Sequence, residues 1–393
     1  MRRVKQVMKS QICTQKSKYI FCVLTTIFFV VTFLHCNELF EYFPKFKERI
    51  AYVQLGDLPT PITKLENIGA LFNHPNLYMK RDDLSGAIIN GTRIFGGNKV
   101  RKLEYLLADA QRVHARGVLT AGCAGSNHAL ATTVYAKLLG LEAHIILAPQ
   151  INSAIVQRNL LLDKYYGADI MCVLNRTQRC EQFVNFIREY SDVYAIPVGG
   201  SVPLGCIGYV NAAFELKKQI EQKIVPEPDD IYVAVGSGGT VAGLILGVRA
   251  AGIKSKIHAI AVDDDPFQTI VGNLVQQTTK LLHDIDNTFP LFTWTPADFI
   301  ITTDFVGVGY GAITPEACEA IKIAKQYERI MFEGTYTAKA FAGFLHDLSN
   351  GLLKNRTVLF WNTFSIGNFD ELTKSVDYKS LPAAVHKYFE SKQ

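Results

Sequence analysis

The chain has 393 residues, 48% of them hydrophobic and 20% charged, with a formal charge of +5. This length and apolar content allow one large domain or two ordinary ones around a substantial core. The excess charge sits in Arg2, Arg3, Lys5, Lys9, Lys16 and Lys18, ahead of the first acidic residue Glu38, so the remainder is near neutral and nothing in it argues for a nucleic-acid partner.

Residues 1–18 form that basic leader. Residues 19–36, YIFCVLTTIFFVVTFLHC, contain no Asp, Glu, Lys or Arg, and a helix of ~17–25 apolar residues crosses a bilayer. The long leader and the lack of an A-x-A-like cleavage site favour an uncleaved signal anchor. The expectation is a hydrophobic N-terminal helix that tethers the chain to the membrane, with the catalytic domain on the non-cytoplasmic side. A secreted protein and a mitochondrial presequence are the alternatives. Residues 37–54 read as a linker, and the stretch up to residue 60 ends in Leu58-Pro59-Thr60-Pro61.

From there strands and helices alternate. Leu77 to Arg81 reads as a strand, and Lys99 to Arg116 as a helix with Leu103, Leu106, Leu107 and Ala110 on one face. Strands are expected at 118–121, 144–147, 170–174, 231–235, 257–262 and 358–361, with helices at 127–139, 153–166 and 241–251. Continuous apolar strands between helices point to open parallel sheets covered on both faces, an α/β architecture. Residues 100–204 form a compact run of such units and are expected to be a small domain. Residues 55–99 and 205–385 would then form a large one, with a cleft between them. The eight cysteines are scattered without a C-x-x-C, which fits free thiols rather than a disulfide framework or a metal site.

Three segments carry chemistry. Gly236-Ser237-Gly238-Gly239-Thr240 links a strand to a helix, so its backbone N–H groups and the helix N-terminus can converge on an anion. No Gly-Lys-Ser/Thr follows, and Val241 stands where a dinucleotide fingerprint needs its third glycine. Lys99 follows Gly96-Gly97-Asn98 at the start of a helix, where a tight loop can aim an amine at one point and Asn98 can cap. Lys102, one turn on, can lower the proton affinity of Lys99 by like-charge repulsion. Ser126-Asn127-His128 opens another helix and offers a hydroxyl, an amide and an imidazole to a carboxylate or a phenolate oxygen. A strand-to-helix turn, a solvated surface lysine and a simple helix cap are the plain alternatives for the three. Taken together they point to an aldehyde cofactor with a phosphate arm, pyridoxal 5'-phosphate, bound covalently by an unprotonated lysine.

The same segments, with Lys80 to Gly86, Gly309-Tyr310-Gly311 and Tyr336-Thr337-Ala338-Lys339-Ala340, resemble the D-cysteine desulfhydrase and 1-aminocyclopropane-1-carboxylate deaminase group over residues 55–385. The resemblance implies a two-domain, fold type II (tryptophan-synthase-β-like) enzyme that uses pyridoxal 5'-phosphate. It implies Lys99 as the Schiff-base lysine and Asn127 as the partner of the ring oxygen. Gly236, Ser237, Gly238, Gly239 and Thr240 become the phosphate cup, and Thr363 faces the pyridine nitrogen. Ser126, Asn127 and His128 would meet the substrate carboxylate, with Tyr310, Tyr336 and Thr337 beside the substrate. Lys99, Ser126, Tyr310 and Tyr336 would carry the catalysis. Thr337, where deaminases typically carry glutamate, and His128, where they usually carry glutamine, favour D-cysteine α,β-elimination to pyruvate, ammonia and sulfide. Ring opening of 1-aminocyclopropane-1-carboxylate is the alternative, and a membrane-tethered, cofactor-binding relative without turnover is a third. A homodimer is expected. The chain departs from the group at Gly125 (usually glutamine), at Phe364 within Asn362-Thr363-Phe364-Ser365 (usually His-Thr-Gly-Gly), and at Glu333-Gly334-Thr335, which replaces an Asp-Pro before Tyr336.

Overall fold

Strand Asp230–Val235 (DIYVAV) and strand Gly117–Cys123 (GVLTAGC) are buried at every position. Runs without polar alternation are what a strand needs when helices cover both of its faces. Each lies inside its own sheet in the computed structural model, which describes residues 37–390. One sheet has six strands in the order Ile62–Lys64, Leu77–Lys80, Val358–Trp361, Asp230–Val235, Lys256–Ala261 and Phe299–Thr302. The other has four, in the order Asp169–Cys172, Glu142–Ala148, Gly117–Cys123 and Val193–Ile196. The four-stranded sheet is parallel throughout. The six-stranded one is parallel except for its edge, where Ile62–Lys64 runs antiparallel to Leu77–Lys80. The short helix Glu66–Leu71 turns the chain back along the same edge, and the Leu65 N–H bonds the Leu77 carbonyl at 2.9 Å. From Glu38 on, the described residues belong to one compact unit.

Both sheets end toward the same place. The residues that follow the carboxyl ends of Gly117–Cys123, Asp230–Val235, Lys256–Ala261 and Val358–Trp361 line a common cleft, the usual ligand position in open α/β sheets.

The stretch 37–54 differs from the expected linker. It contains the short helices Glu38–Tyr42 and Pro44–Arg49, and Leu39, Phe40 and Phe46 are buried. The rings of Phe43 and Phe46 pack on Phe289, and Phe40 packs on Tyr52 and Tyr105. Five aromatic residues between positions 40 and 52 make this segment too apolar to remain a solvated spacer.

The hydrophobic segment 19–36 lies outside the described residues. Among the described residues, no helix is long and apolar enough to cross a membrane. The described residues therefore give no support to the N-terminal hydrophobic helix of the expected fold.

Candidate active site

The cleft takes its shape from three loop-to-helix turns. At the first, Gly97 adopts φ +85°, and a Cβ there would lie 2.8 Å from the Phe364 carbonyl and 2.9 Å from that of Thr363. Only glycine lets the two segments approach so closely in a left-handed conformation. The turn is fastened by the Asn98 N–H to the Thr363 carbonyl (3.2 Å) and by the Gly96 N–H to Ser365 Oγ (2.8 Å). It delivers Lys99 as the first residue of helix Lys99–Arg112, facing the cleft. Asn98 does not cap that helix with its side chain. Its amide donates instead across the cleft to Thr240 Oγ1 at 3.0 Å.

The Lys99 amine is held well below its ordinary value. Burial is the main cause, the Lys102 charge adds to it, and Glu333 opposes it. Lys102 is itself fully buried rather than solvated. It donates to the Gly199 carbonyl (3.0 Å) and Ser201 Oγ (3.3 Å), and burial pushes it down to about 8.

The second turn is the glycine loop. Gly238 adopts φ +83°, and helix Gly239–Ala251 begins directly after it. The first N–H groups of a helix have no intrahelical acceptor, and here they open toward the cleft that Ser237, Gly238, Thr240 and Val241 line. Gly236 is required for a different reason, since a Cβ there would sit 2.7 Å from the Tyr336 ring. Gly239, expected in the cup, does not line the cleft. Its N–H is bonded to Ser201 Oγ at 3.1 Å, and Ser201 also donates to Ser237 Oγ at 2.8 Å. Gly239 supports the loop from behind because its Cβ position is crowded by Ser201 and Lys102.

At the third turn Ser126 caps helix Asn127–Leu138 by accepting the Ala129 N–H at 3.1 Å. Asn127 and His128 line the cleft beside it. Among the described residues neither ring nitrogen of buried His128 has a hydrogen-bond partner. Burial, then Lys99 and Lys102, hold the imidazole well below its ordinary value, while the Pro197 carbonyl, outside bonding geometry, pulls the other way. A neutral ring with idle nitrogens facing a cleft is a site built for a ligand.

Tyr310, Tyr336, Thr337 and Thr363 complete the wall. The structure thus brings together every residue expected at the site except Gly239. It also adds several that sequence patterns did not reveal. Glu333 accepts the N–H groups of Thr335 (2.7 Å), Tyr336 (2.9 Å) and Thr337 (2.7 Å), so it anchors the start of helix Thr337–Ser349. An acid just ahead of a helix was the available signal. Arg176 pairs with Asp263 at 2.7 Å across the mouth, and Arg179 and Asp265 lie beside them. The two arginines open helix Arg176–Glu189 and the two aspartates share the loop after strand Lys256–Ala261, so the pairing joins segments far apart in sequence and left no local pattern.

The residues present fit a phosphate-bearing aldehyde. An amine with suppressed proton affinity, a left-handed glycine at a helix start and a ring with idle nitrogens all face one cleft that encloses ≈ 940 Å³, part of it open to solvent.

Comparison with known proteins agrees. Residues 53–363 match the family described as pyridoxal-phosphate dependent enzyme. The mitochondrial bifunctional D-cysteine desulfhydrase/1-aminocyclopropane-1-carboxylate deaminase of Arabidopsis thaliana is 33% identical over 336 residues, 81% of this chain and 79% of that protein. The D-cysteine desulfhydrase of Klebsiella pneumoniae is 31% identical over 80% of this chain and 94% of its own length. A crystal structure of an ACC deaminase homologue superimposes with a TM-score of 0.69 at 32% identity, covering 84% of this chain and 99% of that one. The expected placement on a membrane anchor, with the catalytic domain on its non-cytoplasmic side, is corrected here. No spanning helix occurs among the described residues, and the Arabidopsis relative is named as a mitochondrial protein.

Proposed function

This chain belongs to the pyridoxal-phosphate dependent enzymes, and from that premise we propose that it eliminates the β-substituent of a small amino acid, with D-cysteine as substrate and sulfide, pyruvate and ammonia as products. The observation that carries the proposal is the Lys99 amine, kept well below its ordinary value inside the cleft that the glycine loop and the tyrosine pair share.

Lys99 would hold the aldehyde carbon of pyridoxal 5'-phosphate. The Gly236–Thr240 loop would receive the phosphate, Asn127 the ring oxygen and Thr363 the ring nitrogen. Pyridoxal 5'-phosphate, when bound, supplies a conjugated ring that spreads negative charge away from the substrate Cα. Ser126 and His128 orient the substrate carboxylate, with Asn127 and Thr337 lining the same pocket. Lys99, its proton affinity lowered mainly by burial, would be the base that takes the Cα proton. Tyr310 and Tyr336 are phenols, protonated at neutral pH, and burial raises both further, so the pair has a proton to give to the departing sulfur. The Cβ–S bond breaks, sulfide leaves, and the released aminoacrylate takes up water to give pyruvate and ammonia. On this reading the four-stranded layer, residues 100–204, acts as a small domain against a large cofactor-binding domain of residues 55–99 and 205–385. The functional assembly is a homodimer, which sedimentation of the cofactor-loaded protein tests.

A second reading is ring opening of 1-aminocyclopropane-1-carboxylate, favoured by the solved ACC deaminase homologue and the bifunctional Arabidopsis relative. Sulfide and pyruvate from D-cysteine support the first reading. 2-Oxobutanoate from the cyclopropane, without sulfide from D-cysteine, supports the second. A cofactor-loaded protein inert toward both, or a Lys99→Ala protein that still releases sulfide, overturns the proposal.

A further inference from the structure

We infer that Arg158, Asn159 and Phe364 form a positioning unit that turns the Asn127 amide so that its NH2 group, not its oxygen, is presented to the cleft. The inference rests on the proposed role of Asn127 toward the cofactor's ring oxygen.

Arg158 and Asn159 are neighbours on helix Ala154–Tyr165. A guanidinium has donors only. Its Nε and Nη2 both donate to Asn159 Oδ1, at 3.1 and 2.9 Å. That bond fixes which end of the Asn159 amide is oxygen. The NH2 end donates to the Gly125 carbonyl at 2.9 Å and to Asn127 Oδ1 at 2.9 Å. A reversed Asn159 would set NH2 against the guanidinium and oxygen against two acceptors. Asn159 is fully buried, so water cannot repair the mismatch. With its oxygen turned to Asn159, the Asn127 amide presents its N–H donors to the cleft, and these suit an anionic oxygen.

The guanidinium is held in turn. It lies 5.9, 5.8 and 5.6 Å from the ring centres of Phe95, Phe364 and Phe369, all three of them buried, an arrangement that favours a cation. Phe364 also supplies the carbonyl that packs on Gly97, two residues before Lys99. Gly125 is constrained from the other side. A Cβ there would lie 2.9 Å from Val156 and 3.0 Å from the Gln150 amide, and a longer side chain would push away the helix that carries Asn159. The two departures from the resembled pattern, Gly125 and Phe364, therefore touch the same hydrogen-bonded chain.

The test loads each protein with pyridoxal 5'-phosphate and measures two quantities other than turnover. They are the pH midpoint of the visible absorbance band and the cofactor Kd from fluorescence titration. Asn159→Asp keeps the acceptor for Arg158 and removes the donor to Asn127. Arg158→Met removes the clamp, whereas Arg158→Lys keeps a cation and a donor. Asn159→Asp and Arg158→Met are expected to move the midpoint by about half a pH unit or more and to weaken the cofactor about two- to tenfold, the size of one hydrogen bond. Arg158→Lys should recover most of the shift. If Asn127→Ala moves the midpoint while Asn159→Asp and Arg158→Met, folded by circular dichroism, leave it in place, the positioning unit is overturned and the role of Asn127 stands. If Asn127→Ala leaves the midpoint unchanged, both fall. Should Arg158→Met fail to fold, Asn159→Asp decides alone.

Discussion

The hydroxyls of Tyr310 and Tyr336 lie 2.6 Å apart, with their rings edge to face at 5.8 Å. The residues are 26 positions apart in sequence, and the Arg176 guanidinium stacks over Tyr310 at 5.3 Å. One hydroxyl donates to the other, so a single proton remains to be directed outward. The pair thus acts as one donor. Tyr336→Phe should lower kcat for D-cysteine about 10²-fold, the scale of losing a positioned acid, and leave KM within a few fold. The Tyr310→Phe/Tyr336→Phe double variant should lose little more than either single one. Steady-state sulfide release measures both, and a double variant whose losses multiply would show that the hydroxyls act separately.

Gly238 tests the phosphate cup. Its φ of +83° costs an L-residue about 1–2 kcal/mol, and an added Cβ would lie 2.9 Å from Ile270 Cγ2. Gly238→Ala should weaken pyridoxal 5'-phosphate roughly tenfold while Gly252→Ala, at a helix C-cap with open space around it, leaves affinity unchanged. Equilibrium dialysis of the two proteins distinguishes them.

Behind Lys99, helix Lys99–Arg112 is tied down by a buried ion network. Arg101 donates to Asp82 (2.8 and 3.0 Å) and to Glu215 (2.8 and 2.9 Å), and Lys80 bonds Glu215 as well. Tyr209 and Trp361 also donate to Asp82 Oδ2, the oxygen that Arg101 Nε meets, at 2.7 and 2.8 Å. The two cations and two carboxylates balance, so removal of one leaves charge stranded in the core. Arg101→Met should cost about 3–5 kcal/mol, read as a lowered urea midpoint. An unchanged midpoint would mean that the network adds nothing to stability.

Glu104 gives stability a pH dependence. It is fully buried and accepts the Leu55 and Gly56 N–H groups at 3.1 Å through one oxygen, while the other has no partner among the described residues. Burial pushes its carboxyl up from 4.5 to about 7. Folding then favours the protonated form. The stability this confers is complete below pH 4.5 and is lost as pH rises through about 7. Glu104→Gln, permanently neutral, should raise stability at about pH 8 by on the order of 1–3 kcal/mol, read as a higher thermal midpoint, and have little effect near pH 4.5. Melting curves across that range would reject the assignment if the gain were independent of pH.

Lys99, Ser126, Asn127 and the Gly236–Thr240 loop were readable from sequence because each sits where a loop turns into a helix, and the chemistry of such turns is local. The alternation of apolar strands with helices identified parallel sheets for the same reason. Tyr310 and Tyr336 have no such local signature and came only from the resemblance. The packing of the stretch 37–54 is not legible in sequence, because the partners of its aromatic residues, Tyr105, Phe214 and Phe289, lie far along the chain.

By itself the sequence determined which groups this protein could offer: one lysine after a flexible turn, one glycine loop, one polar helix start. Their meeting in a single cleft was decided by tertiary structure, since two sheets had to direct their carboxyl ends to one place. The fold also decided the electrical state of those groups. Lys99, His128 and Glu104 carry ordinary proton affinities in an extended chain, and desolvation inside the packed molecule, together with the charges it brings near, moves them.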